Sequence, residues 1–336
     1  MNELALQPEQ TSRATITFQK WATYCLLIIG FVGLSIFAEH DTLTPGQALD
    51  TLLSYKLTGY ANILLAASAL VYIASLKFQG ELVAKWASGL AVAGMIGLFV
   101  AIFVRWFETY QVLEEGHVPI SNLYEVTIFF TALTVAIYLI MESLYQNRSI
   151  GAFIMPMVLA SVWLQEWLVL EGYGSPSELV PALKSYWMHT HVLANFIGYG
   201  AFAVAGGSGV MYLIRARLEK KGKTEGIIRS LPELKIIDDV MYRAIAIGFP
   251  VFTLAVILGA GWAYYAWGSY WSWDPKETWS LIVMLIYAGF LHARLLKNWS
   301  GARMAWWAIL GFGFTLFCFL GVNLFLSGLH SYGAVG

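Results

Sequence analysis

The stretch DVMYRAIAIGFPVFTLAVILGAGWAYYAWGSYWSWDPKETWSLIVMLIYAGFLHAR, residues 239–294, joins two long apolar runs through a short aromatic segment. Each run has about the 20 residues that a helix needs to cross the hydrocarbon core of a membrane. Backbone groups in lipid must be hydrogen-bonded within the chain, so such runs fold as helices. The stretch therefore predicts a pair of membrane-spanning helices.

Similar apolar runs recur along the whole chain of 336 residues. Hydrophobic residues make up 58% of it and charged residues only 12%, which is about half the charge of a typical soluble domain. The net charge of −1 gives no basic field for nucleic acid. We predict an all-α, polytopic integral membrane protein with about nine spans, near residues 21–38, 57–76, 86–104, 123–142, 151–170, 189–214, 239–262, 276–294 and 304–326.

The distribution of lysine and arginine predicts how these spans are oriented. With the N-terminus inside, sixteen of the twenty Lys and Arg residues lie on the inner side, and only Lys56, Arg105, Lys184 and Lys276 lie on the outer side. Cytoplasmic loops carry the excess of positive charge, so we predict an inner N-terminus and an outer C-terminus. The charged segment 215–238 is then the one sizeable inner loop.

The aromatic segment, residues 262–279, is predicted to lie on the outer side. Its eighteen residues contain five tryptophans and three tyrosines, more than the one or two that an interfacial belt places at a helix end. Such a surface suits a large flat ligand that stacks on aromatic rings. The segment ends in Asp274-Pro275-Lys276-Glu277, which predicts a capping box at the start of the next helix.

Five of the six histidines lie in outer segments or at outer helix ends, and His292 alone lies deeper in a span. His189 and His191 point about 200° apart on one helix, so one site would not use both. His330 follows the last span and reaches the same outer face. Two imidazoles with aromatic walls suit a haem iron and its porphyrin. Haem propionates would need a cation, for which Lys276, Lys184 and Arg105 are all open candidates.

Several separated motifs together resemble one family. They are GHVPISNLYE (116–125), LVPALKSYWMHTHV (179–192), WGSYWSWDPKETW (267–279), His292, and GVNLFLSGLHSYG (321–333). In this order they are similar to the tryptophan-rich haem-handling proteins of cytochrome c maturation, in particular the CcsA/ResC branch of system II. The resemblance extends from about Trp86 to the C-terminus. It indicates a haem-handling membrane domain at residues 86–336, preceded by residues 1–85, which carry two spans and no recognised motif.

The resemblance implies a set of site residues. His191 and His330 would be the axial ligands of an outer haem, and His292 would belong to a second, intramembrane haem site completed by a CcsB/ResB-type partner. The doublet His189/His191 leaves two adjacent candidates for the first ligand. The residues implied to bind haem b are His191, His330, His292, Trp267, Trp271, Trp273, Asp274 and Trp279.

The resemblance also implies a function, namely delivery of haem across the membrane and its attachment to the CxxCH motif of apocytochrome c by a cytochrome c synthase complex. The membrane would be a bacterial plasma membrane or a thylakoid membrane. No residue has the pattern of a dedicated catalytic acid or base, and Cys25 and Cys318 form no CxxC motif. The alternatives are a haem exporter or chaperone without ligation activity, a b-type electron carrier and a small-solute transporter. The last two are disfavoured because no span carries two histidines several turns apart, and because interrupted helices and repeat symmetry are not evident.

A further prediction concerns the span at 189–214, which contains Gly198, Gly200, Gly206, Gly207 and Gly209. Small residues allow helices to approach closely in lipid. We therefore expect this span to be packed on several sides.

Overall fold

The computed structural model describes residues 52–78, 81–113 and 115–330. Within these ranges, eight helical segments are long and apolar enough to cross a membrane, and no β-strand occurs. The first seven are α1 (Leu53–Phe78), α2 (Glu81–Val112), α3 (Leu123–Tyr145), α4 (Gly151–Leu170), α5 (Tyr186–Lys220), α7 (Leu234–Trp267) and α8 (Pro275–Lys297). The eighth, Ala302–Phe325, consists of α9 (Ala302–Leu316), a π-helical turn (Phe317–Gly321) and α10 (Val322–Phe325), and a short helix α6 (Ile227–Ser230) precedes α7.

These helices confirm the all-α membrane fold and eight of the predicted spans. The predicted span at 21–38 lies outside the described residues. The prediction that 215–238 is a loop was wrong for much of its length, because α5 continues to Lys220 and α7 already begins at Leu234. Residues 215–220 are mostly good helix formers, and Arg215 pairs with Glu219 one turn later at 2.7 Å, which supports the extra turns.

Helix α5 lies at the centre of the bundle, where its glycines allow close packing. A Cβ at Gly206 would lie 2.9 Å from Phe312 of α9, and one at Gly207 would lie 2.9 Å from the carbonyl oxygen of Phe153 in α4. A Cβ at Gly198 would lie 2.8 Å from Phe252 of α7. The prediction that this glycine-rich span packs against several helices is confirmed.

Hydrogen bonds join the connections at one end of the bundle. His117 in the α2–α3 connection contacts the Ser177 carbonyl in the α4–α5 connection, and Trp262 of α7 donates to the Ala182 carbonyl. Leu329, after α10, donates to Asp274 at the start of α8. We call this end, formed by the α2–α3, α4–α5 and α7–α8 connections and residues 326–330, the histidine end.

Candidate functional site

Two histidines that are far apart in the sequence meet at the histidine end. His191 lies in the second turn of α5, and His330 lies five residues after α10. Both line a cavity of about 140 Å³, which we call the histidine cavity. Both also line a cavity of about 70 Å³ that includes Trp271, which we call the tryptophan cavity. The structure thus brings together the two predicted axial ligands.

His191 is held by contacts with α7. Its Nδ1 lies 2.7 Å from the carbonyl oxygen of Ala255, so Nδ1 carries the proton and Nε2 is left as the acceptor. The amide nitrogen of Asn195, one turn further along α5, lies 2.9 Å from that Nε2. The imidazole stacks on Trp262 with a centroid separation of 5.9 Å and an interplanar angle of 23°.

His330 is held in a related way by Asp274. Its Nδ1 lies 2.8 Å from Asp274 Oδ2, and its ring packs edge-on against Trp262 and Trp267 at centroid distances of 5.3 and 4.8 Å. Each histidine therefore has its Nδ1 on an acceptor, and the Nε2 of His191 faces the Asn195 amide. This is the arrangement found for metal-ligating histidines, where the acceptor fixes the tautomer and orients the ring.

Asp274 connects helix capping with the histidine site. It caps α8 in the predicted capping box with Glu277, and it accepts hydrogen bonds from the backbone of Leu329 and the ring of His330. Burial alone would raise the pKa of this carboxyl group, but the hydrogen bonds from His330 and Leu329 outweigh it and the pKa is lowered. Asp274 is thus a charged anchor for His330.

The predicted tryptophans fall into three environments. Trp267 packs against His330, and Trp271 lines the tryptophan cavity. Trp273 is 68% exposed and contacts Trp271 edge-on. Trp279 instead packs into the helix bundle against Phe314 and Phe317 and lines neither cavity.

Sequence reasoning missed two residues that contact His191. Trp262 is only 3% exposed and stacks on that histidine, although it belongs to the aromatic segment that was recognised. Asn195 lies on the same face of α5 as His191 because the two are four residues apart. That spacing was the available signal for Asn195, while no local pattern distinguishes Trp262 from its neighbouring tryptophans.

His189 faces a different cavity. As the 200° separation predicts, it lies away from His191, in the wall of a cavity of about 690 Å³ that we call the loop cavity. His117 lines the same cavity, but its two ring nitrogens contact the carbonyl oxygens of Val118 and Ser177 at 3.0 and 2.9 Å. The structure therefore separates His189 from the His191–His330 pair.

The three cations predicted as candidates for binding a propionate lie in different environments. Arg105 is buried against Glu125, with its Nε 3.2 Å from the carboxylate. Lys184 forms an ion pair with Glu115 at the loop cavity. Lys276 alone of the three lines both the histidine and the tryptophan cavities.

His292 lies far from these cavities along α8. It is seventeen residues from Pro275, or about 26 Å along the helix, and its side chain is exposed on the surface of the bundle. The described residues therefore give His292 no packing role inside the chain.

Comparisons with known proteins agree on one family. A profile described as "Cytochrome C assembly protein" matches residues 120–330. The "Cytochrome c biogenesis protein CcsA" of Synechococcus elongatus is 36% identical over 287 residues, covering 73% of this chain and 86% of the relative. The protein of the same name from Guillardia theta is 37% identical over 262 residues, covering 73% and 84%.

A solved structure shares the fold. The "Cytochrome c Heme Lyase CcmF" superposes with a TM-score of 0.61 at 15% identity and covers 84% of this chain. This chain spans about half, 48%, of the length of that one. At this identity the likeness concerns the arrangement of helices alone.

Proposed function

This chain belongs to the cytochrome c assembly protein family, and we propose that, within cytochrome c biogenesis, it binds haem b between His191 and His330 and presents it to apocytochrome c for covalent attachment. Haem is the substrate in this scheme. Apocytochrome c, which supplies the CxxCH cysteines, is the acceptor.

The observation that carries the proposal is that the two histidines share the same cavities and are held by the same kind of hydrogen bond. Both imidazoles line the same two cavities, and both use Nδ1 to donate to a fixed acceptor. Porphyrin fills four positions around iron, so two imidazole Nε2 atoms complete the coordination. The Asn195 amide, now 2.9 Å from His191 Nε2, would have to withdraw when iron binds.

The size of the cavities sets a condition on binding. Sites for large organic ligands usually measure about 300–1,000 Å³, more than the 140 and 70 Å³ of the two cavities. Residues 268–274, which include Tyr270 and Trp271 of the tryptophan cavity, and residues 326–329, which lead to His330, contain no regular helix or strand. We propose that outward movement of these segments admits the porphyrin while the membrane helices stay in place.

The chemistry that follows binding is an addition reaction. Each cysteine sulfur forms a bond to a vinyl carbon, its proton goes to the other vinyl carbon, and the vinyl double bond becomes single. No electrons are gained or lost overall, although the iron and the thiols must already be reduced. The contribution of this chain is to hold the porphyrin in one position, since positioning alone lowers such barriers substantially.

A membrane partner fits the exposed position of His292. We propose that His292 supplies one ligand of a second haem and that a CcsB/ResB-type protein supplies the other. The outer face of the membrane would then receive haem at the histidine end. Co-purification with such a partner should raise the haem content, and His292→Ala should lower it; an unchanged haem content in that variant would argue against the second site.

A haem exporter or chaperone without ligation activity would use the same contacts. Among the described residues that line the two cavities, no side chain has a clear role in proton transfer, which fits this alternative equally well. Reconstitution with ferrous haem and a reduced apocytochrome decides between the two. Thioether-linked product, detected as haem that resists acid–acetone extraction, is the result expected for a synthase, whereas haem release without linkage would identify a chaperone.

A further inference from the structure

Lys276 places an ammonium group at the histidine cavity without a salt bridge to any described residue. Its Nζ donates to the carbonyl oxygen of Phe319 at 3.1 Å and to Asn323 Oδ1 at 3.0 Å, both of them neutral acceptors. Among the described residues no carboxylate lies within ion-pair distance of this ammonium group. A partly buried charge without a direct ion pair is unfavourable, and the Lys276 side chain lies at a cavity rather than in packed protein.

The composition of the cavity wall makes this charge distinctive. Among the described residues that line the histidine cavity, Lys276 is the one Lys or Arg, and that wall contains no Asp or Glu. Glu277 lines only the tryptophan cavity, where its Oε2 accepts from the backbone amides of Ser272 and Asp274. The histidine cavity therefore favours an anionic group.

The start of α8 reinforces the preference for an anion. Lys276 is in the first turn of α8, where the helix dipole adds a partial positive charge. The carboxylate of Asp274 lies nearby, but its oxygens already accept from Leu329, His330 and the Lys276 backbone. A lysine in the first turn of a helix does not stabilise that helix, so its position is better explained by a ligand.

From these contacts we propose that Lys276 is a carboxylate-binding subsite, which takes one propionate of the haem whose iron lies between His191 and His330. The inference rests on the proposed function and adds to it a determinant of orientation. The propionates occupy one edge of the porphyrin and the vinyl groups lie on the other half. Anchoring a propionate at Lys276 therefore fixes which edge of the haem faces away from α8 and α10, where a thiol could reach the vinyl groups.

The test compares haem with iron protoporphyrin dimethyl ester, which lacks the negative charges. Dissociation constants of both would be measured by absorption titration for the full chain in one detergent. We expect the unaltered chain to prefer the free acid by about 10- to 100-fold, the range of a charge-assisted hydrogen bond. Lys276→Met should bind the two porphyrins equally, because the ester lacks the charge that Lys276 recognises. Lys276→Arg should keep the preference.

The controls separate a binding role from a structural one. Lys184→Met removes an outer cation at the loop cavity and should leave the preference unchanged. Affinity of Lys276→Met for the ester should equal that of the unaltered chain, which would show that the site is folded. The subsite is overturned if Lys276→Met still prefers the free acid, or if this variant loses affinity for both porphyrins equally. Failure of the unaltered chain to bind either porphyrin would instead overturn the proposed function.

Discussion

Asp274 serves two purposes that can be separated by substitution. As an N-cap it accepts from the Lys276 amide at 3.1 Å, and as an anchor it accepts from His330 Nδ1 at 2.8 Å. Asparagine caps a helix about as well as aspartate does, but it carries no charge. A neutral acceptor withdraws less proton density from the imidazole, which makes His330 a weaker electron donor.

We therefore predict different results for Asp274→Asn and Asp274→Ala. Asp274→Asn should leave thermal stability nearly unchanged while weakening haem binding by about tenfold and raising the iron midpoint potential. Asp274→Ala should also lose about 1 kcal/mol of stability, because the cap is gone. Redox titration and thermal unfolding measure the two effects. Equal potentials in the unaltered and Asp274→Asn chains would show that His330 is not the iron ligand.

At the scale of the element, α5 and α7 together determine which histidine enters the site. The close approach of α7 to His191 depends on Gly259, since a Cβ there would lie 2.5 Å from the imidazole Cε1. The ring cannot simply withdraw, because its Nδ1 is bound to the Ala255 carbonyl of the same helix. Glycine at 259 is therefore a requirement of the site rather than of the helix.

Gly259→Ala should displace His191 and weaken haem binding by tenfold or more, by analogy with the loss of an orienting contact. Gly261→Ala is the matched control, because a Cβ there would meet Trp187 at an ordinary 3.5 Å and alanine favours the helix by about 1 kcal/mol. Absorption titration of both variants makes the comparison. Equal haem affinity in the two would mean that the packing of α7 does not position His191.

Local patterns predicted the elements better than the contacts between them. The apolar runs located eight helices, and Asp274 to Glu277 gave the start of α8, because hydropathy and capping depend on neighbouring residues. Trp262 stacks on His191, which lies 71 positions earlier in the chain. Because the aromatic segment contains five tryptophans, no local pattern identified Trp262 as the one that contacts this histidine. Local patterns also gave no indication that Trp279, which the family resemblance implied at the haem, contacts Phe314 and Phe317 in the bundle.

At the scale of the whole molecule, orientation in the membrane decides what the histidine end faces. The connections at that end carry few cations, while the opposite end carries Arg215, Arg217, Arg243 and Arg294 among others. This asymmetry predicts that the histidine end is outside. Apocytochrome c would meet the site there.

Reporter fusions test this orientation. Fusions after Arg148 and after Arg229 should be active only with a cytoplasmic reporter such as green fluorescent protein. A fusion at Gly336 should be active only with an exported reporter such as alkaline phosphatase. A cytoplasmic C-terminus would place the His191–His330 site on the wrong side for the proposed function.

The central claim is that His191 and His330 together ligate one haem, and the absorption spectrum of haem bound to the full chain tests it most directly. We predict a low-spin, bis-histidine spectrum for the unaltered chain and for His189→Ala, whose side chain lines the loop cavity instead. His191→Ala and His330→Ala should each give a high-spin spectrum that added imidazole returns to low spin. A low-spin spectrum that survives replacement of both His191 and His330 would contradict the account.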